Sequence, residues 1–129
     1  MKLIEHLSEL AAYAPPGHSR TRNVRLVERD FCGSFEMILG ELEPGGTADP
    51  HDHADEHQII FVLEGECEVT LGDDPMQVCG PGTVIRIPPR LMHAVKVIGE
   101  RTLKLIVLYS PPLQPRAEDP MPPMTKASA

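Results

Sequence analysis

Three of the six histidines fall inside eight residues, His51 to Gln58, read as HDHADEHQ, and the stretch runs straight into the apolar segment Ile59, Ile60, Phe61, Val62 and Leu63. A neutral imidazole nitrogen is the commonest protein ligand for a metal. His51 and His53 are separated by one residue, so on an extended backbone both side chains leave from one face. That spacing describes a candidate metal site at the mouth of a strand. Parity sorts the strand itself: Gln58, Ile60 and Val62 share one face, and His57, Ile59, Phe61 and Leu63 share the other. Gln58 and His57 leave from opposite faces, so only one of them can join such a site, with the other turned away. Glu56 has the parity of Gln58 and reads either as a base or anchor near the site or as a solvated loop carboxylate.

The elements that must position these residues are short. Ten glycines and 14 prolines punctuate nearly every apolar run, so long helices are not expected. Runs at 24–29, 35–42, 58–63, 66–71, 76–78, 83–87, 93–98 and 102–109 read as about eight strands, separated by turn sequences such as Glu43-Pro44-Gly45-Gly46 and Gly72-Asp73-Asp74-Pro75. With no helices between them, the expected fold is an antiparallel sandwich or barrel, since parallel strands need long crossovers. Ahead of the strands, Leu3, Ile4, Leu7, Leu10 and Ala11 recur at helical spacing, which predicts a short amphipathic helix within 2–13, with a lead-in strand as the alternative. His18 follows the break at Pro15, Pro16 and Gly17, either as a loop histidine or as a group at a site entrance. Beyond Tyr109, six prolines between Pro111 and Pro123 and no apolar periodicity predict an extended or disordered tail, with a ligand for a proline-binding domain as a second reading. The expected division is a lead-in over 1–22, a barrel over 23–110 and a proline-rich tail over 111–129.

A chain of 129 residues suits one domain that buries about two thirds of its unfolded surface. The formal net charge of −7 argues against nucleic acid or an anionic membrane as partner, because either requires a basic face. No window approaches the roughly 20 apolar residues of a membrane span. Lys2, Glu5, His6 and Glu9 interrupt the first residues, which therefore lack the apolar core of a secretory signal, and a cytoplasmic location is expected. Cys32, Cys67 and Cys79 are odd in number with no CxxC spacing, which predicts buried, reduced thiols rather than a disulfide framework or structural zinc.

Gly45, His51, His53, Gln58 and Gly65 form one spaced set, and Gly82, Pro88 and His93 form a second. Taken in order, the two segments resemble the two signature motifs of the cupin superfamily, over roughly residues 35 to 109. The resemblance implies an all-β, antiparallel double-sheet barrel of jelly-roll type. It further implies a divalent metal inside the barrel, held by His51, His53, His93 and the residue at the motif's glutamate position, which here is Gln58. Three neutral imidazoles and a neutral amide leave the +2 of such a metal uncompensated. The expected consequences are a stronger Lewis acid, a more acidic bound water and a preference for an anionic ligand. A mixed nitrogen and oxygen set with open positions suits iron(II), manganese(II), nickel(II), cobalt(II) or zinc.

The superfamily hosts many chemistries, so the resemblance implies a class rather than a reaction. That class is a small metal-dependent enzyme of dioxygenase, isomerase or lyase type acting on a small anionic molecule. The alternative is a non-catalytic module that binds or senses a small molecule or sugar. Arg86 has the parity of Val84 and would pair with a substrate carboxylate if it faced inward; facing outward, it is a surface arginine. Tyr109 closes the last strand as a candidate acid or base, or as a packing tyrosine with a bonded hydroxyl. The outward stripe Ile59, Phe61 and Leu63 calls for a cover, and a homodimer is the expected one.

Overall fold

The computed structural model describes residues 1–123; the last six residues of the expected tail lie outside the described residues. Ten strands are present among them: β1 (Ala12–Ala14), β2 (His18–Val27), β3 (Glu36–His51), β4 (His57–Glu64), β5 (Glu66–Leu71), β6 (Gln77–Cys79), β7 (Val84–Ile87), β8 (His93–Ile98), β9 (Leu103–Ser110) and β10 (Asp119–Met121). Every pairing is antiparallel. The result is the double-sheet barrel that the sequence implies.

Two long strands join the sheets. Residues Glu36–Leu42 of β3 lie between β2 and β9, and that sheet continues through β4 to β7. Residues Thr47–His51 of the same strand leave to pair with β8, and from there the second sheet runs through β5 to β6. The segment Glu43–Gly46, expected as a turn, is thus a corner inside one strand of 16 residues. Gly45 sits at φ +80°, and a Cβ on Gly46 would lie 2.9 Å from the Glu43 carbonyl and 3.0 Å from that of Ser19. Glycine lets the two backbones close there. The companion strand bends at the same level: the β2–β3 register shifts between Ser19 and Thr21, Arg20 has φ 52°, and its Nη1 donates to the Pro44 carbonyl at 2.7 Å. The corner turns His18 and His51 toward the sheet that carries His93.

Strict alternation fills the barrel. On β4 the buried residues are Gln58, Ile60 and Val62, and those between them are exposed. Ile60 and Val62 meet Ile38, Ile85, Val97 and Leu105 in one apolar core. The lead-in forms only a single 3₁₀ turn, Leu7–Glu9, followed by β1. A reciprocal cap closes that turn, with the Ser8 N–H donating to His6 Nδ1 at 3.0 Å and the His6 N–H donating to the Glu9 carboxylate at 2.8 Å, and Leu10 is already extended. Leu7 and Leu10 pack with Leu26 and Leu39 around Val24, while Leu3 and Ile4 stay exposed. The helical spacing of the leucines therefore marks two docking points on the outside of β2, not a helix.

One further detail departs from expectation. A single helical turn, α1 (Arg29–Cys32), stands between β2 and β3 and ends at Gly33 with φ 78°. It leaves Cys32 exposed, whereas Cys67 and Cys79 are buried opposite one another on β5 and β6. The described part of the tail lies along the domain: Leu113 is buried, β10 pairs with β1, and the Arg25 guanidinium grips both Glu118 oxygens at 3.0 and 2.7 Å. Among the described residues no helix is long and apolar enough to cross a membrane.

Candidate metal centre

The corner and one strand pairing assemble the histidines. His51 ends β3 and is the direct cross-strand partner of His93, the first residue of β8. His53 follows in the loop, where its carbonyl accepts the Arg90 N–H at 2.7 Å. The His51 ring centroid is 4.2 Å from that of His93 and 4.9 Å from that of His53, and the His53 and His93 rings are 5.4 Å apart. One ring nitrogen from each of the three falls within 4.8 Å of the others. On β4, Gln58 is the cross-strand partner of Tyr109, whose ring lies 5.2 Å from that of His53.

The rings are oriented by the backbone. His51 Nδ1 lies 2.6 Å from the Asp49 carbonyl and His93 Nδ1 lies 2.9 Å from the Leu91 carbonyl. A carbonyl oxygen only accepts, so each Nδ1 carries the proton and each Nε2 presents a lone pair. His53 Nε2, His93 Nε2 and Gln58 Oε1 are buried and have no hydrogen-bond partner. Leaving such atoms unsatisfied costs about 1–3 kcal/mol each. Ring nitrogens of His51, His53 and His93 within 4.8 Å of one another, two of them buried without a protein donor, fit a cation, and Gln58 Oε1 is a further buried acceptor without a donor.

Electrostatics favour the same state. Burial, then the neighbouring His51 and His93, pushes His53 down to about 4, and burial also lowers His93 against the opposing pull of the Leu91 carbonyl. Both rings are therefore neutral at pH 7 and able to ligate. The cluster contains three imidazoles and no carboxylate.

The remaining candidates separate cleanly. His57 is exposed on the outer face of β4, with Gln58 turned inward at 6% exposure. Glu56 is 8% exposed, which overturns its reading as a solvated loop carboxylate. Arg86 does not reach the interior: β7 buries Ile85 and Ile87, and Arg86 is exposed opposite Ile59. The correction has a simple cause, since β7 pairs with β4 in a register that sets Ile87 beside the inward Gln58, and Arg86, one residue away, must face out. Tyr109 is buried and inward, and burial raises its hydroxyl far above the ordinary tyrosine range, so it can donate a hydrogen bond but remains protonated.

Two residues enter that local pattern did not single out as part of the centre. The half-buried His18 ring is 6.3 Å from that of His51, and burial, followed by the charges of His51, Arg116 and His93, lowers it to about 4. Of its two readings, the place beside the site is the one observed. Arg116, in the tail, influences His53, His18 and Tyr109. A fold-back of the tail was the missing information, and no periodicity there signals it.

The family whose model matches this chain is described as "Cupin domain", over residues 38–109. An uncharacterised protein of Methanocaldococcus jannaschii is 34% identical over 83 residues; the match covers 64% of this chain and 66% of that protein, just under two thirds of its length. The polyketide cyclase RemF from Streptomyces resistomycificus is 27% identical with a TM-score of 0.73, covering 93% of this chain and 85% of that one. A predicted oxalate decarboxylase from Thermotoga maritima shares the fold at a TM-score of 0.74 and 17% identity, covering 84% and 98% of the two chains.

Proposed function

Because the chain belongs to the cupin family, we propose that it is a metal-dependent enzyme of dioxygenase, isomerase or lyase type that acts on a small anionic molecule. His51, His53, Gln58 and His93 would hold the divalent ion. The observation that carries this reading is the cluster of His51, His53 and His93 ring nitrogens within 4.8 Å of one another, with His53 Nε2, His93 Nε2 and Gln58 Oε1 buried and unpartnered. When bound, an ion in this neutral donor set supplies Lewis acidity undiminished by any carboxylate ligand.

The chain's own groups have assigned parts in the proposal. The Nδ1 bonds of His51 and His93 fix the rings. Tyr109, held protonated by burial, donates a hydrogen bond to a substrate oxygen. Glu56, buried and on the parity of Gln58, accepts a proton. The aliphatic interior excludes water around them. Catalysis rather than mere binding is favoured by the likeness to RemF, a polyketide cyclase on this fold at 27% identity.

In the same proposal two copies pair through the outer face of β4 and β7, where Ile59, Phe61, Leu63 and Val84 are 43%, 37%, 40% and 41% exposed. A light-scattering mass of one subunit at micromolar concentration would remove the dimer. The enzymatic reading is tested by incubating the metal-loaded protein with small hydroxy-ketones, uronates and phenolics while following substrate loss and oxygen uptake. Turnover should vanish in His93→Ala; turnover that survives metal removal would sink the proposal.

A further inference from the structure

The chain between β7 and β8 holds two members of the histidine cluster through its backbone. Pro88, Pro89, Arg90 and Leu91 form a turn there, with the Leu91 N–H donating to the Pro88 carbonyl at 3.4 Å. The Arg90 N–H donates to the His53 carbonyl at 2.7 Å, and the Leu91 carbonyl accepts from His93 Nδ1 at 2.9 Å. One residue further on, the Met92 carbonyl accepts the Gly72 N–H at 2.7 Å, which pins the end of the turn to the chain after β5. A single turn therefore grips His53 by its main chain and His93 by its ring.

Arg90 has φ 67°, and among the described residues Arg20, in the bend of β2, is the other non-glycine with positive φ. Left-handed backbone is unfavourable for a residue with a Cβ, and the structure carries that cost beside the histidines. The reason lies in the turn. With proline second and a left-handed residue third, it has the type II pattern. The commoner type I form differs mainly by a flip of the central peptide, with ψ of the second residue at about −30° instead of about +120°. That peptide joins Pro89 to Arg90, and its N–H is the donor to His53. Type I geometry would turn the donor away.

We propose, on the metal-dependent reading above, that Arg90 is a positioning residue of the centre: its left-handed backbone aims the N–H that holds His53 in ligating position beside His93. The side chain is exposed, and its hydrogen bond from Nη1 to the Ala54 carbonyl is long, at 3.5 Å. Conformation rather than guanidinium chemistry is thus the property required at position 90.

Arg90→Gly and Arg90→Val separate those two properties. Both keep the N–H, but glycine favours positive φ and a β-branched residue resists it. Pro89 suits either turn form, so the valine protein can fold with a type I turn. Titration with cobalt(II), well below the melting temperature of each protein, should place Arg90→Gly within about twofold of the parent. Arg90→Val should bind about tenfold or more weakly, with an altered cobalt d–d spectrum. In metal-free protein the residue-90 amide should exchange slowly in the parent and Arg90→Gly and fast in Arg90→Val, and the His53 ring resonances should move only in Arg90→Val. A valine protein that binds cobalt like the parent, whatever its Tm, would overturn the proposal, as would equal losses in the two variants. If the parent takes up no cobalt, the metal-dependent reading falls. Amide exchange and the His53 resonances then still decide whether position 90 places His53, and equal exchange in all three proteins would overturn it.

Discussion

Replacing Gln58 by glutamate restores the carboxylate of the family motif and probes the centre with and without its ion. The side chain is 6% exposed and its Oε1 lacks a partner, so in metal-free protein the new carboxylate would be desolvated without a compensating donor. The penalty has a ceiling, because the group can take up a proton instead of remaining charged. From a reference value of about 4.3, protonation at pH 7 costs about 3.7 kcal/mol, and at pH 5 about 1 kcal/mol. For a chain of this size the ceiling at pH 7 corresponds to a fall in Tm on the order of 10 °C.

The sign follows from linkage. Burial raises the folded-state pKa above the unfolded value, so the folded state binds more protons and stability declines with rising pH from about 4.3 until the folded pKa is passed. Saturating divalent metal should reverse the ranking, since the carboxylate lowers the net charge of the filled site from +2 to +1. Scanning calorimetry at pH 5 and pH 7, with chelator and with metal, measures every arm. A metal-free Gln58→Glu protein that melts with the parent at pH 7, and a metal-induced rise no larger than the parent's, would refute the placement of Gln58 in the centre.

Two glycines and three cysteines offer further checks. Gly65 has φ +80°, and a Cβ there would sit 2.7 Å from the Thr102 carbonyl and 2.9 Å from Leu103 Cα, whereas Gly99 at φ +76° has open space around it. Urea unfolding should therefore show Gly65→Ala destabilised by about 2 kcal/mol or more and Gly99→Ala by only about 1 kcal/mol, the backbone strain alone. Equal losses would mean that the close approach at Gly65 is absent. Cys32 is exposed and its thiol is lowered by the Ser34 hydroxyl, while burial pushes Cys67 up to about 12 and Cys79 is also buried. A thiol reagent should label Cys32 in the native protein and all three cysteines only in denaturant; native labelling of Cys67 would contradict its burial.

The strands and their inward faces were legible because period-two alternation is a local signal, clearest in Gln58, Ile60 and Val62. The corner at Gly45 and Gly46 was not. Glycine and proline mark a change of direction, and only the partner strand decides whether the chain reverses or bends and continues. Arg86 failed for a related reason, since the parity of β7 follows from its pairing with β4, which the sequence does not state. The lead-in leucines imitate a helix because Leu7 and Leu10 must both reach the outer face of one sheet. In the candidate centre, the proximity of His51, His53 and His93 was implied by motif resemblance, while His18 and Arg116 arrive through a strand register and a tail fold-back separated from it by long stretches of chain.

Metal stoichiometry by mass spectrometry tests the centre most directly, using protein purified without chelator and its His51→Ala, His93→Ala and His57→Ala variants. The histidine cluster predicts one equivalent of a divalent ion per chain in the parent and in His57→Ala, whose ring is exposed on the outer face. It predicts that ion's loss in His51→Ala and His93→Ala, which remove two members of the cluster. Full metal retention in both of those variants would contradict the account.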